Sequence, residues 1–177
     1  MKIAGIIAAK ENSNRFPGKN YYSYKNKPIY RHNFDLLNEN PLVNMTYIVT
    51  NSFEIKSYFK NIPLAVIERN INICEDDQPI FDVIKYAYHC LPERYHIIIS
   101  ILANSINHTQ ESITEALTKM INNPELLEIR SYGENGIENG ILVLRDKAFK
   151  KHELSWYIGM VKSPGKEIHY KKDLDYV

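Results

Sequence analysis

The chain has 177 residues, 22 Lys and Arg against 21 Asp and Glu, a net charge of +1 and a hydrophobic fraction of 44%. That length suits one domain, 1–177, with a core large enough to fold alone. Near-neutral charge excludes the overall electrostatic footprint of a nucleic-acid binder. With no long apolar run and no leader-like start, the sequence predicts no membrane partner and a cytoplasmic home. Cys74 and Cys90 lie outside any C-x-x-C pair and the six histidines show no zinc spacing, so a reducing compartment and no structural zinc are expected.

In chain order, residues 2–9 read as a buried strand, an apolar run stopped by polar and turn-forming residues. The loop that follows, A-K-E-N-S-N-R-F-P-G-K-N, carries Lys10, Arg15 and Lys19. Asn12, Ser13, Asn14 and Gly18 permit tight turns and leave backbone N–H groups to face an anion. Cations and exposed amides directly after a buried strand are how a polyphosphate is held. The alternative is a solvated basic loop. Neither G-x-x-x-x-G-K-[ST] nor G-x-G-x-x-G is present, so this is not a P-loop or a dinucleotide fingerprint.

Residues 21–24 read as short and extended, and K-N-K-P at 25–28 turns into a helix from 29 to about 38. Strands are expected at 45–50 and 64–67, with a short helix at 53–59 between them. Ile80, Val83, Ile84 and Ala87 mark one face of a helix, and residues 96–102 form the clearest fully buried strand. Thr109 caps a helix whose apolar face is Ile113, Ala116, Leu117, Met120 and Ile121. Later strands are expected at 127–132, 141–144 and 156–161, and a terminal one at 167–170. Strands alternating with helices predict an α/β layered domain with a largely parallel sheet, with no repeat or interdomain linker.

The loop resembles the signature of the acylneuraminate (CMP-sugar) cytidylyltransferase family, which reads roughly I-P-A-R-x-G-S-K-R-x-P-G-K-N. Ile7, Ala9, Ser13, Arg15, Pro17, Gly18, Lys19 and Asn20 fall on it directly. Lys10 replaces an Arg and keeps its charge without the bidentate fork. Ala8, Asn12 and Asn14 depart from it, and Asn14 removes a cation. The chain reads as a short divergent member. The resemblance implies a Rossmann-like nucleotidyltransferase three-layer sandwich with a mostly parallel mixed sheet. It also implies transfer of CMP from CTP, with Mg2+, to an acidic sugar or similar small acceptor.

Nucleotidyl transfer is mostly positioning and charge stabilisation around an attacked α-phosphorus. Lys10, Arg15 and Lys19 are therefore expected on the phosphates, with Ser13 adding donors. Solvated charge is the alternative for Lys10 and Lys19, and bracing against a carboxylate the alternative for Arg15. From the resemblance come Ala9, Asn20, Arg69, Asn104 and Ser105 as nucleotide contacts. Asn104 and Ser105 sit in I-L-A-N-S-I, where the family has L-Q-P-T-S-P, and Leu102 stands where the family's base-reading Gln would be. A polar turn capping the next helix is the alternative there. Asp76 to Val83, D-D-Q-P-I-F-D-V, resembles the segment leading into the helix before the central strand, with Asp82 either a solvated helix residue or a functional one. N-G-I-L-V-L at 139–144 matches the family's N-G-x-I-Y-V.

Two departures bear on assembly and metal. Only Gly133 to Glu138 remain of an extension that in the family helps pair subunits, so a monomer or a dimer of another kind is expected. Tyr21, Tyr22 and Tyr24 are candidates for a pairing surface or for local packing. The carboxyl-terminal I-D-I-D-T-x-x-D-L reads K-E-I-H-Y-K-K-D-L here, placing Glu167 and His169 on the two metal-binding aspartates. Glu suits magnesium and His does not, which leaves Glu167 as the expected metal ligand. Leu102, Asn14 and His169 also fit a catalytically impaired nucleotide-binding relative acting as a sensor or partner subunit. A glycosyltransferase-like module is a further rival, without a D-x-D triplet at any internal strand end.

Overall fold

The computed structural model describes residues 1–11, 13–73, 78–150 and 157–176. Asn12, Cys74, Asp76, Asp77 and Trp156 lie outside the described residues. Strand β1 (Ile3–Ala8) leads through the basic loop to a 3-10 turn at Lys19–Tyr21, a small hairpin of β2 (Ser23–Tyr24) and β3 (Lys27–Pro28), and helix α1 (Ile29–Asn38). Then come β4 (Met45–Thr50), α2 (Phe53–Tyr58), β5 (Val66–Glu68), α3 (Ile80–Cys90), β6 (Ile97–Ile101), β7 (Ser105–Ile106) and α4 (Gln110–Asn122). The last strands are β8 (Glu128–Tyr132), β9 (Glu138–Arg145), β10 (Ile158–Lys162) and β11 (Lys166–Glu167).

The main sheet has seven strands in the order β10-β8-β9-β6-β1-β4-β5. Strands β6, β1, β4 and β5 pair in parallel, β10 pairs parallel to β8, and β9 runs antiparallel to both neighbours. This is the mostly parallel mixed sheet of a Rossmann-like three-layer sandwich. Alternation along each strand divides the core. Ile3, Ile7, Ile48, Ile97, Ile99 and Ile101 face α1, α2 and α4, where Phe34, Leu37, Ile55, Ile113, Ala116, Leu117 and Met120 are buried. Ala4, Ile6, Tyr47, Val49 and Ile98 face the other way, against Val83, Ile84 and Ala87 of α3. Thr109 caps α4 in a reciprocal box with Ser112, and Ser52 caps α2 by accepting the Ile55 N–H.

Three expectations shift. The third strand begins at Val66, because Pro63–Ala65 forms a 3-10 turn that leaves Leu64 80% exposed. Residues 21–24 are not one extended run, since Tyr21 closes the 3-10 turn and only Ser23 and Tyr24 pair. The terminal strand is two residues long. Lys166 and Glu167 pair with Ile106 and Ser105, after which the Asp173 carboxylate accepts the His169 and Tyr170 N–H groups, both at 2.8 Å, and turns the chain into a 3-10 helix. Among the described residues no helix is long and apolar enough to cross a membrane.

Candidate active site

Parallel strands place their carboxyl ends on one edge, and there the loop after β1 meets the segments after β5 and β6. A cleft of about 570 Å³ opens between them. Lys10, Ser13, Arg15, Lys19 and Asn20 line it from the loop, Arg69 from the end of β5, Asn104 from the turn after β6, and Glu167 and His169 from β11 and the turn beyond. Gln78, Ile80 and Val83 enter from the start of α3, beside Leu102 and Ala103. Cations thus gather at the loop, and apolar side chains form a wall beside α3.

The loop is held in shape by its own sequence. Gly18 adopts φ 72°, and the Lys19 N–H reaches the Phe16 carbonyl at 3.1 Å, closing the P-G turn. Asn20 Nδ2 donates to the Lys10 carbonyl at 2.8 Å, tying the loop's two ends together. Lys19 is only 8% exposed, which removes the solvated-charge alternative for it. Arg69 is likewise buried, its guanidinium donating from Nε and Nη2 to the Ile73 carbonyl. Asn104 Nδ2 donates to the Ile168 carbonyl at 3.0 Å while the Ile168 N–H returns to the Asn104 carbonyl at 2.8 Å, clamping the terminal segment over the cleft.

Glu167 contributes the one carboxylate lining this cleft among the described residues. Burial pushes its carboxyl up, helped by the Glu138 charge and opposed by His169, Lys19 and Arg15. His169 Nε2 lies 3.3 Å from the Glu167 carboxylate. Both residues also line a second cavity of about 570 Å³, walled by Gly133, Glu134, Asn135, Ile137 and Glu138, residues 163–165 and Asp173. The pair therefore stands between two chambers. Arg130 and Lys162 neutralise Glu138 and Glu134 on the second chamber's rim.

Two expected contacts do not line the cleft. Ala9 is wholly buried, its N–H spent on the Val49 carbonyl at 2.9 Å, so it backs the loop. Ser105 is also wholly buried; its hydroxyl donates to the Asn139 carbonyl at 2.7 Å and faces His108 Nε2 at 2.7 Å. It belongs to a buried polar network under the site. His108 Nδ1 meets Ser163 Oγ at 2.7 Å, and Asn139 Nδ2 donates to the carbonyls of Ser163 and Gly165 at 2.7 and 2.9 Å. Ser131 Oγ donates to Asn139 Oδ1 at 2.6 Å. The network welds β7, β8, β9 and the 163–165 turn together, fixing Glu167 at the cleft. Its partners come from separate elements, so no local spacing announces it.

A neutral imidazole donates with one nitrogen and accepts with the other, which is what this network needs. Burial pushes His108 down to about 4. A folded-state value below the ordinary 6.5 means that the unfolded chain binds the proton first. The stability it confers is present above pH 6.5 and lost as pH falls toward 4, amounting to about 3 kcal/mol. Denaturant melts at pH 7 and pH 4.5 check this. The wild type should lose more stability between them than His108→Gln, and equal losses would place the titration elsewhere.

A family model described as cytidylyltransferase matches residues 4–156. No curated protein matches the chain by sequence. Among solved structures, a CMP:2-keto-3-deoxy-manno-octonic acid synthetase complexed with CTP superposes with a TM-score of 0.81 at 13% identity, covering 99% of this chain and 96% of that one. The inositol-1-phosphate CTP transferase from T. maritima gives 0.70 at 10% identity over 96% of this chain and 90% of that one. The bifunctional IspDF from Campylobacter jejuni gives 0.74 at 13% identity, over all of this chain and 54% of that one. At these identities the likeness is one of fold.

Proposed function

The chain belongs to the cytidylyltransferase family, and from that premise we propose that it transfers CMP from CTP to an acidic sugar or similar small acceptor, releasing pyrophosphate, as a short divergent relative of the acylneuraminate type. One observation carries the reading. Lys10, Arg15 and Lys19 converge in a single cleft with Glu167 from the far end of the chain. Lys10, Arg15 and Lys19 hold the triphosphate, Ser13 and Asn20 complete its cradle, and the partly apolar wall beside α3 takes the base. The second chamber, reached across Glu167 and His169, receives the acceptor. Its Asn135, Glu138 and Asp173 offer side-chain oxygens to the hydroxyls of a polyol.

Magnesium prefers one or two carboxylates plus phosphate oxygens, keeping several waters. Glu167, a carboxylate facing the triphosphate cleft, fits that minimal demand. No group of three or more metal-ligating side chains occurs among the described residues, so the substrate's phosphates supply the other oxygens. When bound, the ion would neutralise charge on the phosphates during transfer. The protein's own residues orient the α-phosphorus for in-line attack by the acceptor oxygen and hold the departing pyrophosphate on the loop.

The test is Lys19→Ala. A buried, charge-assisted contact to phosphate is worth roughly 1.5–3 kcal/mol, so CTP affinity measured by calorimetry should fall about tenfold to a hundredfold with the fold retained. Unchanged affinity would remove the loop from the nucleotide site. CTP binding with no pyrophosphate release from any acceptor would instead favour an impaired, nucleotide-sensing relative. In the place of a pairing extension, residues 133–137 form a closed hairpin turn, with the Gly133 N–H on the Ile137 carbonyl at 2.9 Å. Light scattering at micromolar concentration should therefore give a monomer or a dimer joined elsewhere. A dimer built across that hairpin would refute it.

A further inference from the structure

On the reading that this cleft binds a nucleoside triphosphate, we propose that Gln78, oriented by Asp82, reads the base edge and selects CTP over UTP. Leu102 offers a base no polar group, and Arg69 and Asn104 already donate to the Ile73 and Ile168 carbonyls. The apolar residues lining the cleft include Ile80, Val83, Leu102 and Ala103. Such surfaces pack a flat base without identifying it. Gln78 lines the cleft two residues before α3, and its carboxamide can distinguish one pyrimidine from another.

The orientation of that carboxamide follows from chemistry. Gln78 Nε2 lies 2.9 Å from Asp82 Oδ2. An ionised carboxylate only accepts, so Gln78 must give it an N–H, and turning Oε1 toward it would set two acceptors against each other. Oε1 and the second N–H of Gln78 are then the groups a base in the cleft meets. The edge of cytosine presents an amino donor and a ring-nitrogen acceptor, which this acceptor and donor satisfy. The edge of uracil presents a carbonyl acceptor and a ring N–H donor, the reverse pattern. Gln78 could serve it only by flipping, which Asp82 opposes. Pro79 carries no N–H and has its φ at −56°, so it holds Gln78 next to the first turn of α3, where Asp82 sits.

Asp82 is thus a positioning residue for specificity, and its test separates that role from a structural one. Calorimetry or fluorescence competition on the full chain measures CTP and UTP affinity for wild type, Gln78→Ala and Asp82→Asn. A good two-point base contact discriminates roughly tenfold to a hundredfold, so the wild type should prefer CTP by about that factor. Gln78→Ala should bring the ratio to within about threefold of unity. Asp82→Asn leaves an amide partner that tolerates either face of Gln78, so CTP affinity should fall while UTP affinity rises. Equal loss of both nucleotides, or a ratio unchanged in both variants, would overturn the assignment while leaving the transfer reading standing. Wild-type protein that binds neither nucleotide would bring down that reading and this inference together.

Discussion

Gly165→Ala is expected to destabilise the protein by about 4 kcal/mol, more than any surface change, and to lower Tm by roughly 10 °C. A methyl group there would lie 2.0 Å from His108 Cε1 and 2.4 Å from Nδ1. The ring cannot retreat, because Ser105 and Ser163 hold its two nitrogens and it is 7% exposed. Moving it would take the buried ring nitrogens off their hydroxyl partners, which costs a further 1–3 kcal/mol or so for each. Gly159→Ala is the control. Its nearest contacts are Ile129 Cγ1 at 3.0 Å and Leu126 Cδ1 at 3.1 Å, side-chain atoms able to yield. Calorimetric melting of both variants checks the contrast. Combining Gly165→Ala with His108→Ala, which makes room, should recover part of the loss, and strict additivity would show that the clash is not the cause.

The same network explains what could be read in the chain and what could not. Strands β1, β4 and β6 announce themselves as largely apolar runs buried on both faces, and helices α1, α3 and α4 by a periodic apolar face. Strand β7 does not, and β11 is shorter than the expected 167–170, since a two-residue pairing has no period. Leu64 misled the placement of the third strand because Pro63 favours the tight turn that turns the leucine outward. At the site, the basic loop is contiguous, so its chemistry was visible in one stretch. Gln78 and Val83 join it only through the packing of α3 on the sheet. Ser105 matched a motif that points toward a ligand, yet its hydroxyl turns inward. His108, three residues on, and the Asn139 carbonyl from β9 together claim it, and only the folded chain brings β9 there.

Glu167→Gln is expected to remove turnover, by at least about a hundredfold in kcat, while CTP binding without metal stays within a few fold of wild type. Both halves follow from the cleft. Glu167 lies against His169 with Lys19 and Arg15 among its charged neighbours, so its charge faces the loop proposed to hold the phosphates. The amide keeps the shape and the hydrogen-bonding reach but not the negative charge that would hold the proposed magnesium–triphosphate complex. An interaction made mainly as charge moves to the departing pyrophosphate lowers kcat more than it weakens binding. Burial also gives the wild type a pH signature. Because burial pushes the Glu167 carboxyl up in the metal-free protein, its ionised form is lost there at a higher pH than for an ordinary glutamate, and the affinity for magnesium should decline on the acid side from above the usual carboxylate range. Pyrophosphate release with magnesium saturating checks the first, and magnesium titrations of the wild type across pH check the second. Full turnover in Glu167→Gln would mean that another group holds the metal. Magnesium affinity that falls only at the ordinary glutamate value would mean that the metal depends on a carboxylate outside this buried pair.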